Sequence, residues 1–233
     1  MSEPSDADIA ALARKVEDRL GLAFAGGRMN SLRRGIATAA VEFGQADRGA
    51  FVRWLLSDRP EHTDIERFGG HLTVGETYFL RDRRTMEALE KSILPELVAR
   101  NRKARRLRIW CAGCSTGEEP YTLAILLHRV VPDLASWSIQ LLGTDISVQA
   151  LRKAEAGVYS RWSLRDCSTG ELEPYVRETT PGKFVVEPSL RSMVTFSFLN
   201  LAEDSYPSVA TNCCQHHVPG AGLRHLCRAQ ASD

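Results

Sequence analysis

The stretch that decides the fold is Arg108–Leu127, RIWCAGCSTGEEPYTLAILL. An apolar run enters a turn containing Gly113 and Gly117, and a second apolar run leaves it at helical spacing. Strand, glycine turn and helix in that order are how α/β proteins hold a nucleotide. A phosphate-binding loop places lysine after its last glycine, whereas this loop places Glu118 and Glu119 there. Gly113 and Gly117 enclose only three residues, too few for that loop. The spacing also fails the dinucleotide pattern G-x-G-x-x-G, which disfavours an NAD-type oxidoreductase. Two carboxylates at this point repel a triphosphate and suit a ligand that carries positive charge and no phosphate.

Working outward, "WSIQLLGTDIS" reads as a second strand ending at Asp145, and "VQALRKAEAG" as a helix closed by Gly157. "SMVTFSFLNLA" reads as a third strand with Val194, Phe196 and Phe198 on one face. Before the loop, a helix is expected from about Thr85 to Arg100, followed by the basic turn "RNRKARR". Alternating strands and helices predict a parallel, doubly wound α/β sheet. Toward the N-terminus, Ile9, Leu12, Val16 and Leu20 recur on one helical face, with Ser5 and Asp8 spaced as a capping box. Leu32, Ile36, Ala40 and Phe43 predict a second helix, and Phe51, Trp54 and Leu55 a third. Residues 1–70 therefore read as a small N-terminal helical domain, and 71–212 as the α/β domain.

The 233 residues are 43% hydrophobic and 25% charged, with a formal net charge of +1. That balance predicts a globular chain with no field to attract nucleic acid or a membrane surface. No apolar run approaches the ~20 residues of a bilayer span, and the polar, acidic start is no secretory leader. Six cysteines without a framework spacing fit a reducing cytoplasm.

S-adenosylmethionine meets the loop's demand: a sulfonium, an ammonium and an adenosine. A carboxylate there binds the ammonium by a charge-assisted hydrogen bond, the helix N-terminus receives the carboxylate, and Asp145 accepts from ribose hydroxyls. Plainer roles compete. Thr116 and Glu119 have capping-box spacing, Asp145 or Ser147 could cap the next helix, and Asn200 could simply begin a turn.

At these residues the chain resembles the CheR family, the S-adenosylmethionine-dependent chemoreceptor glutamate methyltransferases. The segments that carry the resemblance are "GETYFLRD", "LRIWCAGCSTGEEPYTLAILL", "GTDIS..AL.KA..G.Y" and "VTFSFLNL", spanning about residues 72 to 201. The resemblance implies a Rossmann-like class I methyltransferase sheet behind the helical domain. It implies Thr77 and Arg81 as cofactor contacts, with Arg81 also the catalytic residue, which otherwise reads as a surface arginine beside Asp82. It further implies Gly113 in the cofactor loop, Glu118 or Glu119 on the cofactor amino group, Asp145 on the ribose, and Asn200 with Leu201 beside the adenine. No metal is implied. The expected product is a glutamate methyl ester on the cytoplasmic helical segment of a chemoreceptor. S-adenosylhomocysteine is the by-product, and a cytoplasmic monomer is the expected form. Arg28, Arg33 and Arg34 of the helical domain are the candidates to face that acidic segment; a plain solvated face is the competing reading.

The chain departs from the family twice. Gly75 stands where an asparagine is usual. After "NL....YP", the further strands with a "CRNV.IYF"-like motif do not follow, so an incomplete sheet and a C-terminal truncation or frameshift are expected, with residues 213–233 foreign to the fold. Family members that bind a receptor tail do so through a small β-insert that would follow the point where this chain ends, so tail binding is not expected here. Two further readings stand beside the methyltransferase one. One is an inactive cofactor-binding remnant, and the other a zinc site from Cys213, Cys214, His216, His217, His225 and Cys227, whose spacing matches no standard finger.

Overall fold

The computed structural model describes residues 2–24, 28–73, 75–168, 170–203, 206–207 and the strand 212–214. Helix α1 (Asp6–Leu20) begins where Ser5 Oγ accepts from Asp8 N–H at 3.1 Å and the Asp8 carboxylate accepts in return. It ends at Gly21, whose φ of 66° is the left-handed conformation that stops a helix. Its buried face, Ile9, Leu12, Val16 and Leu20, packs against α2 (Met29–Glu42), α3 (Arg48–Leu56) and α4 (His62–Gly69). Four helices thus share one core, one more than the periodicity predicts.

Helix α5 (Arg83–Ala88) runs through a π turn, Leu89–Ile93, into α6 (Leu94–Asn101). The predicted single helix is therefore continuous but widened by one turn. Pro95, at the start of α6, has no N–H to return to the turn before it. Strand β1 (Arg106–Ala112) follows the basic turn, and α7 (Glu118–Val130) follows the glycine loop. Strand β2 (Ser138–Asp145) and α8 (Val148–Ala156) come next, with Gly157 at φ 62° closing α8 as predicted. Strands β3 (Val158–Ser160), β4 (Val176–Thr180) and β5 (Lys183–Val186) precede the short α9 (Pro188–Arg191), then β6 (Val194–Phe198) and β7 (Asn212–Cys214).

Two sheets result. The larger has the order β6-β2-β1-β7, all parallel. Numbered along the chain this is 3-2-1-4, a half of the doubly wound arrangement, and its direction reverses at β1. Open α/β sheets bind ligands at the C-terminal end of that switch point, where Gly113 stands. Helix α7 is buried nearly all round, from Pro120 to Leu127, as a helix clamped in the middle of a fold must be. Strand β6 alternates as predicted, with Val194, Phe196 and Phe198 turned toward the core.

The smaller sheet, β3-β5-β4, is antiparallel and lies between α8 and β6. The sequence reading has no strands there; the structure forms this antiparallel sheet within Val158–Val186. Its strands are three to five residues long, and β4 buries only Val176, so no alternation announces them. The expected domain end at 212 is also passed, because Asn212–Cys214 pairs with Ile109–Cys111. The remaining tail cysteines and histidines lie outside the described residues.

The helical unit meets the larger sheet's strand ends. Ile146, just past β2, packs on the helical core, and the Asn200 amide donates to the Arg19 carbonyl at 3.0 Å. His62 lies between Glu66 and Glu203, with nitrogen-to-oxygen distances of 3.6 and 3.3 Å. A cleft of about 620 Å³ opens between α2, α4 and the start of α8, lined by Glu42, Arg67, His71, Arg152 and Phe198. It touches none of the cofactor candidates. Among the described residues no helix is long and apolar enough to cross a membrane.

Candidate cofactor site

The glycine loop is a run of backbone conformations that few sequences tolerate. Gly113, Ser115 and Gly117 have φ of 71°, 50° and 90°, and a Cβ at Gly117 would come within 2.7 Å of Ala154 Cβ and 3.0 Å of the Phe196 ring. Glycine at 117 is thus required both by conformation and by the close approach of α8 and β6. Cys114 N–H donates to the Thr144 carbonyl at 2.9 Å, and Ser115 N–H to Asp145 Oδ2 at 2.7 Å. The other Asp145 oxygen accepts from Ser147 N–H at 2.8 Å. Asp145 is buried, and burial pushes its carboxyl up although backbone N–H groups pull it down. The cap of α8 is Ser147, whose hydroxyl accepts from Ala150 N–H. Asp145 is therefore no helix cap; it ties the loop to the end of β2.

The two glutamates separate cleanly. Glu118 accepts from the Thr116 hydroxyl at 2.6 Å and from the Ser163 hydroxyl at 2.9 Å, one bond on each oxygen. Burial raises its pKa, opposed by these two bonds. Glu119 has one oxygen, Oε1, that is buried and without a partner. Burial pushes its carboxyl up to about 7, while the Cys111 thiol and the Arg81 guanidinium pull the other way. The predicted capping box does not form: Gly117 is the N-cap, no side chain caps it, and Thr116 bonds Glu118 instead.

Arg81 sits between two residues with left-handed backbone, Leu80 at φ 56° and Asp82 at φ 58°. For a leucine that conformation is strained. Leu80 N–H is held by the Thr122 hydroxyl at 3.2 Å, which itself donates to the Glu118 carbonyl at 2.7 Å. Phe79 N–H donates to the Ser163 carbonyl at 2.9 Å. Glu118 is thus the hub joining the glycine loop, the Arg81 segment and the turn after β3, a role sequence spacing gives no sign of. Arg81 is exposed, donates to the Glu76 carbonyl, and lies over the Tyr78 ring at 5.7 Å. Thr77 is half-buried on the same segment.

Asn200 is buried and occupied. It donates to the Arg19 carbonyl and accepts from Ala202 N–H at 3.0 Å, so the turn reading holds and the side chain faces the helical unit. The Leu201 carbonyl accepts from the Tyr206 hydroxyl at 3.1 Å. Gly113, Glu119, Asp145 and the Arg81 segment are brought to one end of the sheet; Asn200 reaches the same end with its amide already spent. Around them, burial pushes the Cys114 thiol and the Tyr159 phenol up, so neither is a ready nucleophile or base at neutral pH. Among the described residues, one group offers three metal-ligating side chains together, His62, Glu66 and Glu203, and it lies at the interdomain contact described above.

A carboxylate at a helix start with one buried, unpartnered oxygen fits an ammonium group and rejects a phosphate. The residues therefore fit S-adenosylmethionine. Comparison with known proteins agrees. The family description "CheR methyltransferase, SAM binding domain" matches residues 75–211. A Pseudomonas aeruginosa protein named chemotaxis protein methyltransferase 1 is 37% identical over 142 residues, 59% of this chain and 51% of that protein. Chemotaxis protein methyltransferase 2 of Vibrio cholerae is 34% identical over 157 residues, 67% and 54% of the two chains. The chemotaxis protein methyltransferase of Listeria monocytogenes is 30% identical over 200 residues, 85% and 72%. The chain spans about half the length of the Pseudomonas and Vibrio relatives. The chain belongs to the CheR methyltransferase family, and residues 75–211 are its S-adenosylmethionine-binding domain.

Proposed function

We propose that the chain forms glutamate methyl esters on a chemoreceptor, as a protein-glutamate O-methyltransferase of chemotaxis. The observation that carries this reading is the buried, unpartnered Oε1 of Glu119, a carboxyl influenced by the exposed Arg81. Glu119, not Glu118, takes the cofactor's ammonium group, because both Glu118 oxygens are already bonded within the chain. Asp145 keeps one accepting site per oxygen for ribose hydroxyls. Thr77, Gly113 and the Leu201 backbone complete the contacts, and Asn200 acts by holding the strand end.

The cofactor supplies an electrophilic methyl group, which passes to a carboxylate oxygen as the carbon–sulfur electron pair stays on sulfur. A glutamate with pKa about 4.3 is ionised at neutral pH and needs no base. That agrees with a site whose Cys114 and Tyr159 are held neutral by burial. The chain's work is to position the substrate and exclude water. Arg81, set by the strained turn at Leu80 and Asp82, pairs with the substrate carboxylate through its planar fork.

The substrate is a helical receptor segment, met in the cytoplasm by a monomer of this chain. Residues 1–70 form the recognition domain, and the methyltransferase domain runs from 71 through the strand Asn212–Cys214. Arg28, Arg33 and Arg34 lie at the start of α2, where Arg33 pairs with Asp6 at 2.5 Å; Arg34 and Arg28 carry the larger share of any acidic contact. The test is transfer of a labelled methyl group to receptor-bearing membranes by the chain and by Arg81→Ala. Base-labile label that depends on Arg81 supports the reading. Binding of S-adenosylhomocysteine with no transfer selects the inactive cofactor-binding remnant instead.

A further inference from the structure

Arg81 and Arg165 both close on one residue, Glu76. The Arg81 guanidinium donates to the Glu76 carbonyl, and Arg165 Nη2 donates to the Glu76 carboxylate at 3.1 Å. The Arg165 guanidinium is packed on two aromatic rings, 3.8 Å from the centre of Tyr78 and 4.3 Å from that of Trp162. Arg81 lies over the same Tyr78 ring. Arg165 Nη1 is tied to the Trp162 carbonyl at 2.8 Å. A planar fork stacked on two rings and anchored at one end is pre-organised, so its free edge loses little freedom on taking a ligand.

This stack stands at the rim of the site. Trp162 and Arg165 belong to the turn after β3. Ser163, between them, donates to Glu118, and its carbonyl holds the Phe79 N–H. Burial raises the Glu118 carboxyl, and Arg165 is among the groups that pull it back, so the Arg165 charge is felt at the start of α7. Trp162 is 66% exposed. A tryptophan held rigid at a rim is the kind of side chain that partners bury.

The ion pair itself is lopsided. The Arg165 side chain is 19% exposed and the Glu76 side chain 59%. An outer, flexible carboxylate gains little from such a pair. Glu76 can therefore leave at small cost, whereas Arg165 stays in place and needs a replacement anion.

We propose that Arg165 is a substrate-binding residue that takes a second acidic side chain of the protein substrate, beside the carboxylate that meets Arg81, and that Glu76 holds its place until the substrate arrives. Trp162 and Tyr78 fix the fork and offer the substrate chain an apolar wall. A substrate that draws Arg81 off the Glu76 carbonyl loosens both ends of this latch at once. The inference rests on the methyl transfer and the Arg81 role proposed above.

The test is methyl transfer to a receptor cytoplasmic fragment with one methylatable glutamate, its neighbouring acidic side chains either intact or changed to amides. The parent chain has a KM about tenfold lower for the acidic fragment, the worth of one hydrogen bond between charged groups. Arg165→Gln loses this preference through KM rather than kcat, while S-adenosylhomocysteine affinity stays within about twofold, less than one ordinary hydrogen bond. Arg165→Lys recovers only part of the preference, because it restores charge without the fork. Glu76→Gln lowers KM for the acidic fragment about threefold and has no effect when combined with Arg165→Gln. Equal KM for the two fragments in the parent chain overturns the Arg165 site and leaves methyl transfer standing. A loss in Arg165→Gln that is the same for both fragments, or that extends to S-adenosylhomocysteine, also overturns it, since the stack then only shapes the rim. No transfer to either fragment overturns the methyltransferase reading together with this inference.

Discussion

Ser115 N–H and Ser147 N–H donate to opposite oxygens of Asp145, at 2.7 and 2.8 Å. One carboxylate thereby holds the loop after β1 and the start of α8 as a single piece. Its loss leaves two buried donors unpaired, a cost of about 2–4 kcal/mol. Asp145→Ala should lower thermal stability and weaken S-adenosylhomocysteine more than about tenfold. Asp133→Ala, in the turn before β2 where the carboxylate meets Ser136 and Trp137, should leave the affinity unchanged. Equal losses of affinity in the two variants would remove the ribose assignment.

Cofactor affinity should depend on pH through Glu119. Its carboxyl is raised from 4.5 to about 7 by burial, and only the ionised form attracts an ammonium group. Affinity should therefore rise roughly eightfold between about pH 6 and pH 7.5, below the usual α-amino range. Glu119→Gln should bind weakly and lose this dependence, while Glu118→Gln should keep it. Folding stability changes in the opposite sense. The folded chain binds more protons than the unfolded one between pH 4.5 and about 7, so Glu119's contribution to stability falls as pH rises through that window. Glu119→Gln should flatten that slope in denaturant titrations at several pH values.

Gly117→Ala should destabilise the chain by about 3 kcal/mol, since it adds a strained left-handed residue to an overpacked contact. The new Cβ meets Ala154 Cβ at 2.7 Å. Adding Ala154→Gly should recover part of the loss. A Gly117→Ala chain that melts at the parent temperature would contradict the packing described for the loop.

Arg81→Lys tests whether the planar fork matters. Methyl transfer should fall on the order of a hundredfold, the scale of a misplaced reacting group, with S-adenosylhomocysteine affinity little changed. Arg81→Ala should also move the midpoint of the Glu119 pH dependence upward, because the guanidinium is one of the two groups that lower that pKa. Single-turnover transfer and ligand titrations separate the two effects.

Much of this arrangement is legible in the sequence, for definite reasons. The α1 face, the strand–loop–helix at Arg108–Leu127, the strand end at Asp145 and the stop at Gly157 each leave a pattern within about 20 residues. The choice between Glu118 and Glu119 does not. It depends on Ser163, 45 residues downstream, reaching Glu118, and no local spacing reports such a contact. The left-handed turns at Leu80 and Asp82 are hidden because leucine is a poor signal for that conformation. The small sheet β3-β5-β4 and the pairing of Asn212–Cys214 are hidden because three to five residues are too few to show a period. Asn200 is a different case: its position at the strand end is visible, but its amide turns to Arg19.

That last bond has a mechanical consequence. The end of β6 and the last turn of α1 share a buried amide, so the helical unit cannot swing relative to the sheet without carrying or breaking it. Whatever shifts the helical unit thus works against the strand ends where the cofactor contacts converge. Thermodynamic linkage makes this reciprocal: a ligand that stiffens the strand ends must, to the same degree, bias the orientation of the helices.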